Sequence, residues 1–408
     1  MGWTASSFVS SGSSRWHIPP QVNPCYRSFS STIFETQDFL TQFHSEENRD
    51  ENGLLGAYEV GRSSGVLKED NINNLREALS NMKGGTLCAM KLRSAAIIAK
   101  DKQINSSMRL YLEACFSSDA LEFRRVTFEG SHGLMLERVA EKDSVLARIR
   151  TLRELKKRLG DGRRCYALLH PQLPDDPVAF IHVALTQDLA PGLPYLDLHC
   201  CDHPQPKCAM FYSVNSPHAA LGGLDLAARI IKLAAADVAS SFPSVHTFCT
   251  LSPMPGFMSW LGKAAMGPTH VTLPASIASN LAILAAEISE AGASQHVMAG
   301  QELTFLVGLI ADGSWAQDRK LTDSLRPALE HLGRQYLASE KAKEAPLDPV
   351  ARFHLRNGAS LHRLNWMGSP STMGLERSAG MMVNYMYDLP KLRERATAFP
   401  HVHVNSDF

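Results

Sequence analysis

Residues 208–256 read CAMFYSVNSPHAALGGLDLAARIIKLAAADVASSFPSVHTFCTLSPMPG, and the order of elements in this stretch carries the architecture. Cys208 to Val214 is an apolar run of strand length. A loop with Gly222 and Gly223 leads into an amphipathic helix from Asp225 to about Ser240, with Ala227, Ile230, Ile231, Ala234 and Val238 on one face. Pro243 ends that helix. Val245 to Leu251 returns as a strand, stopped by Ser252-Pro253-Met254-Pro255-Gly256. A strand that opens onto a loop and a helix N-terminus presents unpaired backbone N–H groups and a positive dipole end, where a pyrophosphate can sit. Gly222 and Gly223 let the backbone approach such a group closely.

Working upstream, Cys165 to Leu169 and Val178 to Leu185 are short apolar runs separated by His170-Pro-Gln-Leu-Pro-Asp-Asp-Pro177. Three prolines and two aspartates make that a turn, so the pair is an expected hairpin. Hairpin, strand, glycine loop, helix and strand is the core order of the acetyltransferase (GNAT) fold that binds coenzyme A. Many α/β proteins share strand–Gly-Gly–helix, so spacing alone leaves a coenzyme A site one option among several. Downstream, helical stretches are expected at Pro274 to Ala291 and Leu321 to Lys343, before a segment from Phe353 to Asp388 spaced by glycines and rich in Asn, Met and Tyr.

From about Thr32 to Phe123 the pattern is helical. Ile72, Leu75, Leu79 and Met82 recur at three- and four-residue steps, Ile97, Ile98, Ile104, Met108, Leu110 and Leu112 continue the theme, and glycines at 53, 56, 61, 65, 84 and 85 punctuate it. The expectation is an α+β chain: a leader over 1–31, a helical oligomerisation domain over 32–123, and a GNAT-like mixed α/β catalytic domain over 124–408. The leader has Arg15, Arg27, nine serines among its first 34 residues and no acid before Glu35, which is transit-peptide composition with a cut expected after Phe29. The alternative is a disordered bacterial N-terminus and a cytoplasmic protein. The chain ends in Val404-Asn405-Ser406-Asp407-Phe408, without a peroxisomal Ser-Lys-Leu.

Acids and bases balance at 41 each, so no global field recruits nucleic acid or an anionic membrane. No stretch reaches the roughly 18 uninterrupted apolar residues of a membrane span. The longest candidate, Ile277 to Ile288, is interrupted by Ser279, Asn280 and Glu287. Eight cysteines without a CxxC pair do not form a disulfide scaffold. His199, Cys200, Cys201, His203 and Cys208 are all zinc-ligand types within ten residues, but the adjacent Cys200 and Cys201 fit two corners of a tetrahedron poorly. A polar loop between strands is the better reading, and no metal is expected.

Four blocks in order resemble the malonyl-CoA decarboxylase family. They are Arg164-Cys165-Tyr166 with His182-Val183-Ala184-Leu185-Thr186; Phe211-Tyr212-Ser213 through Gly222-Gly223-Leu224-Asp225; Leu251-Ser252-Pro253-Met254-Pro255-Gly256-Phe257 with Trp260; and Phe353-His354-Leu355-Arg356-Asn357-Gly358-Ala359 with Asn365-Trp366-Met367. Gly380 and Asn384-Tyr385-Met386-Tyr387 extend the last. The resemblance covers roughly Arg125 to Leu389. It implies conversion of malonyl-CoA to acetyl-CoA and CO2 without a cofactor, control of malonyl-CoA in fatty-acid metabolism, and a homotetramer built as a dimer of dimers; the expected mitochondrial matrix address rests on the composition of the leader instead. Carried over residue by residue, it implies Ser252 and His354 as the catalytic pair. It implies Gly222, Gly223, Leu224, Asp225, Leu226, Ala227 and Ala228 as the acyl-CoA-binding loop and helix start, and Tyr387 as an active-site tyrosine. Asp225 stands where animal relatives have glutamate and Ala227 where they have glycine, so the shorter carboxylate sits back by about one methylene.

Decarboxylation leaves charge on the thioester oxygen as an enolate, so the site needs donors aimed at that oxygen and a proton for the α-carbon. Ser252 has a fixed place beside a Pro-x-Pro-Gly turn, and an ordinary histidine titrates near neutrality. His354 is therefore expected to polarise the thioester and deliver a proton, with Ser252 as partner and second donor. The bland alternatives are a structural histidine, a turn-forming Ser-Pro, Asp225 as a first-turn acid favoured by the dipole rather than a group orienting His354 or the substrate, and Tyr387 as a core aromatic. Arg229 and Lys232 lie one turn apart on the helix and meet either coenzyme A phosphates or water. Two other functions fit the same fold: an N-acyltransferase, and a non-catalytic acyl-CoA-binding protein that would have lost Ser252 or His354.

Overall fold

The structure is a computed structural model that describes residues 24–45, 51–143, 149–199, 205–267, 271–290, 300–405 and 408. The chain divides into two compact units, Met1–Cys115 and Phe116–Phe408. No helix among the described residues is long and apolar enough to cross a membrane.

The first unit is helical: α1 (Pro24–Ser45), α2 (Glu51–Ser63), α3 (Ile72–Asn81), α4 (Gly85–Ile98) and α5 (Lys102–Cys115). Its stripes are those of amphipathic helices, with Leu75 and Leu79 buried on α3 and Ile104, Met108 and Leu112 on α5. Ile97, Ile98 and Leu110 depart from the expected stripe and are 37%, 40% and 50% exposed. Leu110 sits two residues from Met108, on the opposite side of the helix. The glycines divide by role. Gly53, Gly56 and Gly61 lie inside α2 rather than breaking it. A Cβ on Gly61 would stand 2.5 Å from the Phe39 ring, so there glycine permits close packing of α1 on α2. Gly84, at φ 81°, does break the chain between α3 and α4. The expected cut after Phe29 falls within α1, and the rest of the expected leader, residues 1–23, lies outside the described residues.

The second unit opens with β1 (Glu122–Val126), α6 (Gly133–Lys142) and α7 (Leu152–Leu159), followed by β2 (Arg163–Leu169), β3 (Ala179–Thr186) and α8 (Leu193–His199). Then come β4 (Cys208–Asn215), α9 (Leu226–Ser241), β5 (Thr247–Thr250), the two-residue β6 (Ser252–Pro253) and α10 (Phe257–Met266). Next are α11 (Ala275–Glu290), α12 (Glu302–Ile310), α13 (Arg319–Ala338) and a short ribbon of β7 (Lys341–Ala342) with β8 (Ala345–Pro346). The unit closes with α14 (Pro349–Arg356), β9 (Ser360–Asn365), α15 (Thr372–Ser378), β10 (Met382–Met386) and α16 (Leu392–Ala398). The sequence boundary at 123/124 falls inside β1, an edge strand whose Glu122, Arg124 and Arg125 give no apolar signal.

The hairpin of β2 and β3 and the β4–α9–β5 crossover stand as the sequence indicated. The main sheet runs β1-β2-β3-β4-β5-β10-β6, with β9 also on β10. Every pairing is antiparallel except β4 with β5. This mixed sheet with α9 packed across β2, β3 and β4 is the acetyltransferase-like arrangement. The parallel pairing ends at Phe211 and Thr250, while β4 runs on to Asn215 against β3 alone. A bulge at Tyr212, where His182 pairs Ser213 and Val183 pairs Phe211, bends β4 at that point. The two strands therefore part, and a cleft opens between them.

Of the cysteine–histidine cluster, His199 closes α8 and Cys208 opens β4, while Cys200, Cys201 and His203 lie outside the described residues. No group of metal-ligand side chains is found among the described residues.

Candidate active site

The cleft between β4 and β5 holds a pocket of about 310 Å³, lined by Phe211 to Val214, Ala227, Leu251 to Pro253, and Pro349, Val350, Phe353 and His354. Four parts of the sequence thus converge on one cavity.

Each candidate side chain has a local reason for its place. Ser252 lies on β6, paired to Val383 of β10, directly after the strand that bounds the cleft. His354 is in the last turn of α14. That helix starts at Pro349, where proline's fixed φ suits the first turn, and Asp348 caps it by accepting from Val350 N (3.0 Å) and Ala351 N (2.8 Å). The other Asp348 oxygen accepts from the Tyr336 hydroxyl at 3.1 Å, and Asp348 is fully buried. Tyr387 follows β10, its backbone N–H held by the Phe248 carbonyl at 2.8 Å.

Ser252 Oγ lies 3.1 Å from His354 Nε2, across 102 residues of sequence. His354 Nδ1 lies 2.8 Å from the Tyr387 hydroxyl, so both ring nitrogens have partners. The ring stacks on Tyr385, with centroids 4.5 Å apart and planes at 27°. Ser252, His354 and Tyr387 are 7%, 4% and 2% exposed. Burial alone takes the His354 pKa from its ordinary value down to about 3. That departs from the near-neutral titration read from the sequence, and at physiological pH the ring is a neutral imidazole. Burial likewise raises the Tyr387 phenol, which stays protonated.

The expected binding loop lies at the mouth of α9. Gly223 (φ 82°) and Asp225 (φ 52°) are both left-handed, and Leu226 is buried. Helical bonding begins where Arg229 N donates to Asp225 O at 3.0 Å, so the amides of Leu226, Ala227 and Ala228 form the open first turn. Ala227 lines the pocket, whereas Gly222 and Gly223 lie exposed and Leu224 half-buried before it. The exposed Asp225 carboxylate accepts from Arg356 Nη2 at 2.6 Å and makes no cap bond to its own helix. It thus ties the loop to the end of α14 instead of touching the His354 ring. Arg229 turns inward to the Phe116 carbonyl (3.2 Å), and Lys232 is exposed on the same helix.

Three residues of this environment are not singled out in the sequence: Asp348, Tyr385, and Thr250, whose Oγ1 lies 3.0 Å from Ser252 Oγ. Asp348-Pro349 was legible as a cap followed by a first-turn proline. Tyr385 was legible too, because residues two apart on a strand share a face and Tyr387 was already singled out. Thr250 carries no local signal.

Comparisons with known proteins bear on the family and the fold. A family model described as the malonyl-CoA decarboxylase C-terminal domain matches residues 120–403. The malonyl-CoA decarboxylase, mitochondrial, of Rattus norvegicus is 30% identical over 370 residues, covering 85% of this chain and 73% of that protein. The protein of the same name from Anser anser anser is 30% identical over 368 residues, covering 87% and 70%. Among solved structures, malonyl-CoA decarboxylase from Rhodopseudomonas palustris is 26% identical with a TM-score of 0.71, covering 92% of this chain and 94% of that one. The Agrobacterium vitis structure of the same name, at 22% identity and a TM-score of 0.73 over 93% and 95%, bears on the fold alone. The family match runs unbroken from the edge strand past β10 and takes in the whole pocket, and on that ground the chain belongs to the malonyl-CoA decarboxylase family.

Proposed function

We propose that this protein decarboxylates malonyl-CoA to acetyl-CoA and CO2, as a carboxy-lyase, with Ser252 and His354 as its catalytic pair. The observation that carries the reading is the 3.1 Å contact between Ser252 Oγ and His354 Nε2 in a pocket shared with the first turn of α9. A protein that had kept the fold and lost turnover would have no need of that contact.

The C–C bond to the carboxylate breaks, and its electron pair passes through the α-carbon to the thioester oxygen as an enolate. One proton from solvent then reaches the α-carbon, so the reaction consumes a proton. A neutral His354 acts as an N–H donor rather than as a cation and is the donor for the developing oxyanion, with Ser252 as the partner that holds its Nε2 side in place. Phe211, Leu251 and Phe353 keep the pocket apolar, which hydrates the departing carboxylate poorly and leaves neutral CO2 at ease. Gly222 to Ala228 binds the acyl-CoA, with the pyrophosphate on the open amides of α9. Tyr387 orients His354 from its far side.

Purified protein mixed with malonyl-CoA is expected to form acetyl-CoA at a rate unchanged by prolonged EDTA treatment. Both His354 nitrogens are occupied by Ser252 and Tyr387, leaving neither for a metal. Loss of activity on chelation together with stoichiometric zinc would overturn the cofactor-free reaction.

Two further features belong to the proposal. A homotetramer is supported by the exposed apolar side chains Val60, Ile97, Ile98 and Leu110 on the helical unit, and light scattering is expected to give four times the chain mass. A mitochondrial matrix address is supported by Arg15 and Arg27 with no acid before Glu35, since import favours positive charge. A C-terminal fluorescent fusion spread evenly through the cytosol would refute it.

A further inference from the structure

Thr250 ends β5 and is 1% exposed. Its Oγ1 accepts the Tyr385 backbone N–H at 3.1 Å, which uses one lone pair and leaves a second to accept from Ser252. The Thr250 carbonyl is fixed in turn by Asn384 Nδ2 at 2.7 Å. Two residues on, Ser252 Oγ donates to the same Thr250 Oγ1 at 3.0 Å.

A serine hydroxyl has one proton. With that proton directed to Thr250, the contact between Ser252 Oγ and His354 Nε2 is closed by the ring N–H donating to serine. A neutral imidazole has one N–H, so Nδ1 is bare and accepts from the Tyr387 hydroxyl. We propose that Thr250 is a positioning residue that sets the tautomer of His354, holding the Ser252 hydroxyl so that the ring carries its proton on Nε2, toward Ser252 and the pocket. Without the threonine hydroxyl, the serine proton turns to Nε2, the ring proton moves to Nδ1, and the donor faces Tyr387 instead of substrate. The kinetic half rests on the decarboxylase reading above; the tautomer does not.

The test uses the full chain with ¹⁵N-labelled histidine, whose ring nitrogens give distinct shifts when protonated and when bare. The His354 signal is assigned among the sixteen histidines by its loss in His354→Gln. The wild-type protein is expected to show Nε2 protonated and Nδ1 bare, and Thr250→Val to gain the Nδ1–H form. Turnover of Thr250→Val is expected to fall about 10²-fold at a KM within about threefold of wild type, because the lost interaction matters as charge develops. Thr250→Ser, which keeps the hydroxyl, is expected to restore turnover to within about threefold. A wild-type His354 protonated on Nδ1 overturns the proposal, whether or not any variant folds. So does a folded Thr250→Val with unchanged tautomer and turnover. If wild-type protein does not turn over malonyl-CoA, that failure falls on the decarboxylase reading, and the tautomer still decides this one.

Discussion

His354 is held on three sides, by Ser252 at one ring nitrogen, Tyr387 at the other and Tyr385 against its face. Replacing it by alanine is expected to lower turnover by about 10²–10⁴-fold, the usual worth of a positioned acid–base or donor group. A loss under about tenfold, with folding confirmed by circular dichroism, would remove it from the catalytic pair. Ser252→Ala is expected to cost about 10²–10³-fold in turnover with little change in KM, because the His354 donor it holds acts mainly as charge develops. Abolished malonyl-CoA binding in that variant, measured by calorimetry, would make Ser252 a substrate-positioning group instead. The sequence offered these residues as candidates but carried nothing of their protonation state. A histidine's ordinary pKa is a property of solvated imidazole, and only the surroundings of His354 reveal that water is excluded from it.

At the scale of elements, α14 is short and its placement depends on its ends. Asp348 satisfies two of its first amides and also the buried Tyr336 hydroxyl. Asp348→Ala is therefore expected to destabilise the protein by about 2–4 kcal/mol, combining the loss of a cap with an orphaned buried donor. Turnover is expected to fall with it, because the same helix carries His354; a thermal melt within 1–2 °C of wild type would contradict the cap's importance. In the helical unit, Gly61→Ala gains helix propensity worth about 1 kcal/mol, yet its Cβ would meet the Phe39 ring. The expected net result is destabilisation by about 1–3 kcal/mol from overpacking, read from urea unfolding. Periodicity found the stripes of α3 and α5 but not these contacts, since glycines inside α2 and in a turn look alike in sequence.

For the whole molecule, acid sensitivity follows from two buried histidines. Burial lowers the His354 pKa to about 3 and also lowers that of His182, overcoming the opposite pull of Asp143 at 3.6 Å. In the unfolded chain both have pKa values near 6.5. Between the two limits the unfolded state binds more protons than the native one, so stability rises with pH through that window. Stability is thus expected to be level above about pH 7 and to fall as pH drops from about 6.5 toward 4. Urea midpoints measured from pH 7.5 to 4.5 check this, and His182→Asn should flatten the slope. An unchanged slope in that variant would mean another group carries the effect.

What the sequence determined by itself is local. The hairpin of β2 and β3, the Gly222-Gly223 turn into α9, the parallel return of β5 and the stop at Ser252-Pro253 all follow from periods, prolines and glycines acting over a few residues. The resemblance of four blocks added Ser252, His354 and Tyr387 as candidates. Tertiary structure decided how these meet. The chain inserts β10 between β5 and β6, and residues 349–354 of α14 complete a cleft opened by the middle of the sequence. β10 brings Tyr385 to Thr250 across 135 residues, and α14 brings His354 to Ser252 across 102. It also leaves Asp225 paired with Arg356, away from His354. No local propensity encodes strand order across a sheet. It is fixed by which faces bury together, and so too is the dry environment that holds His354 neutral.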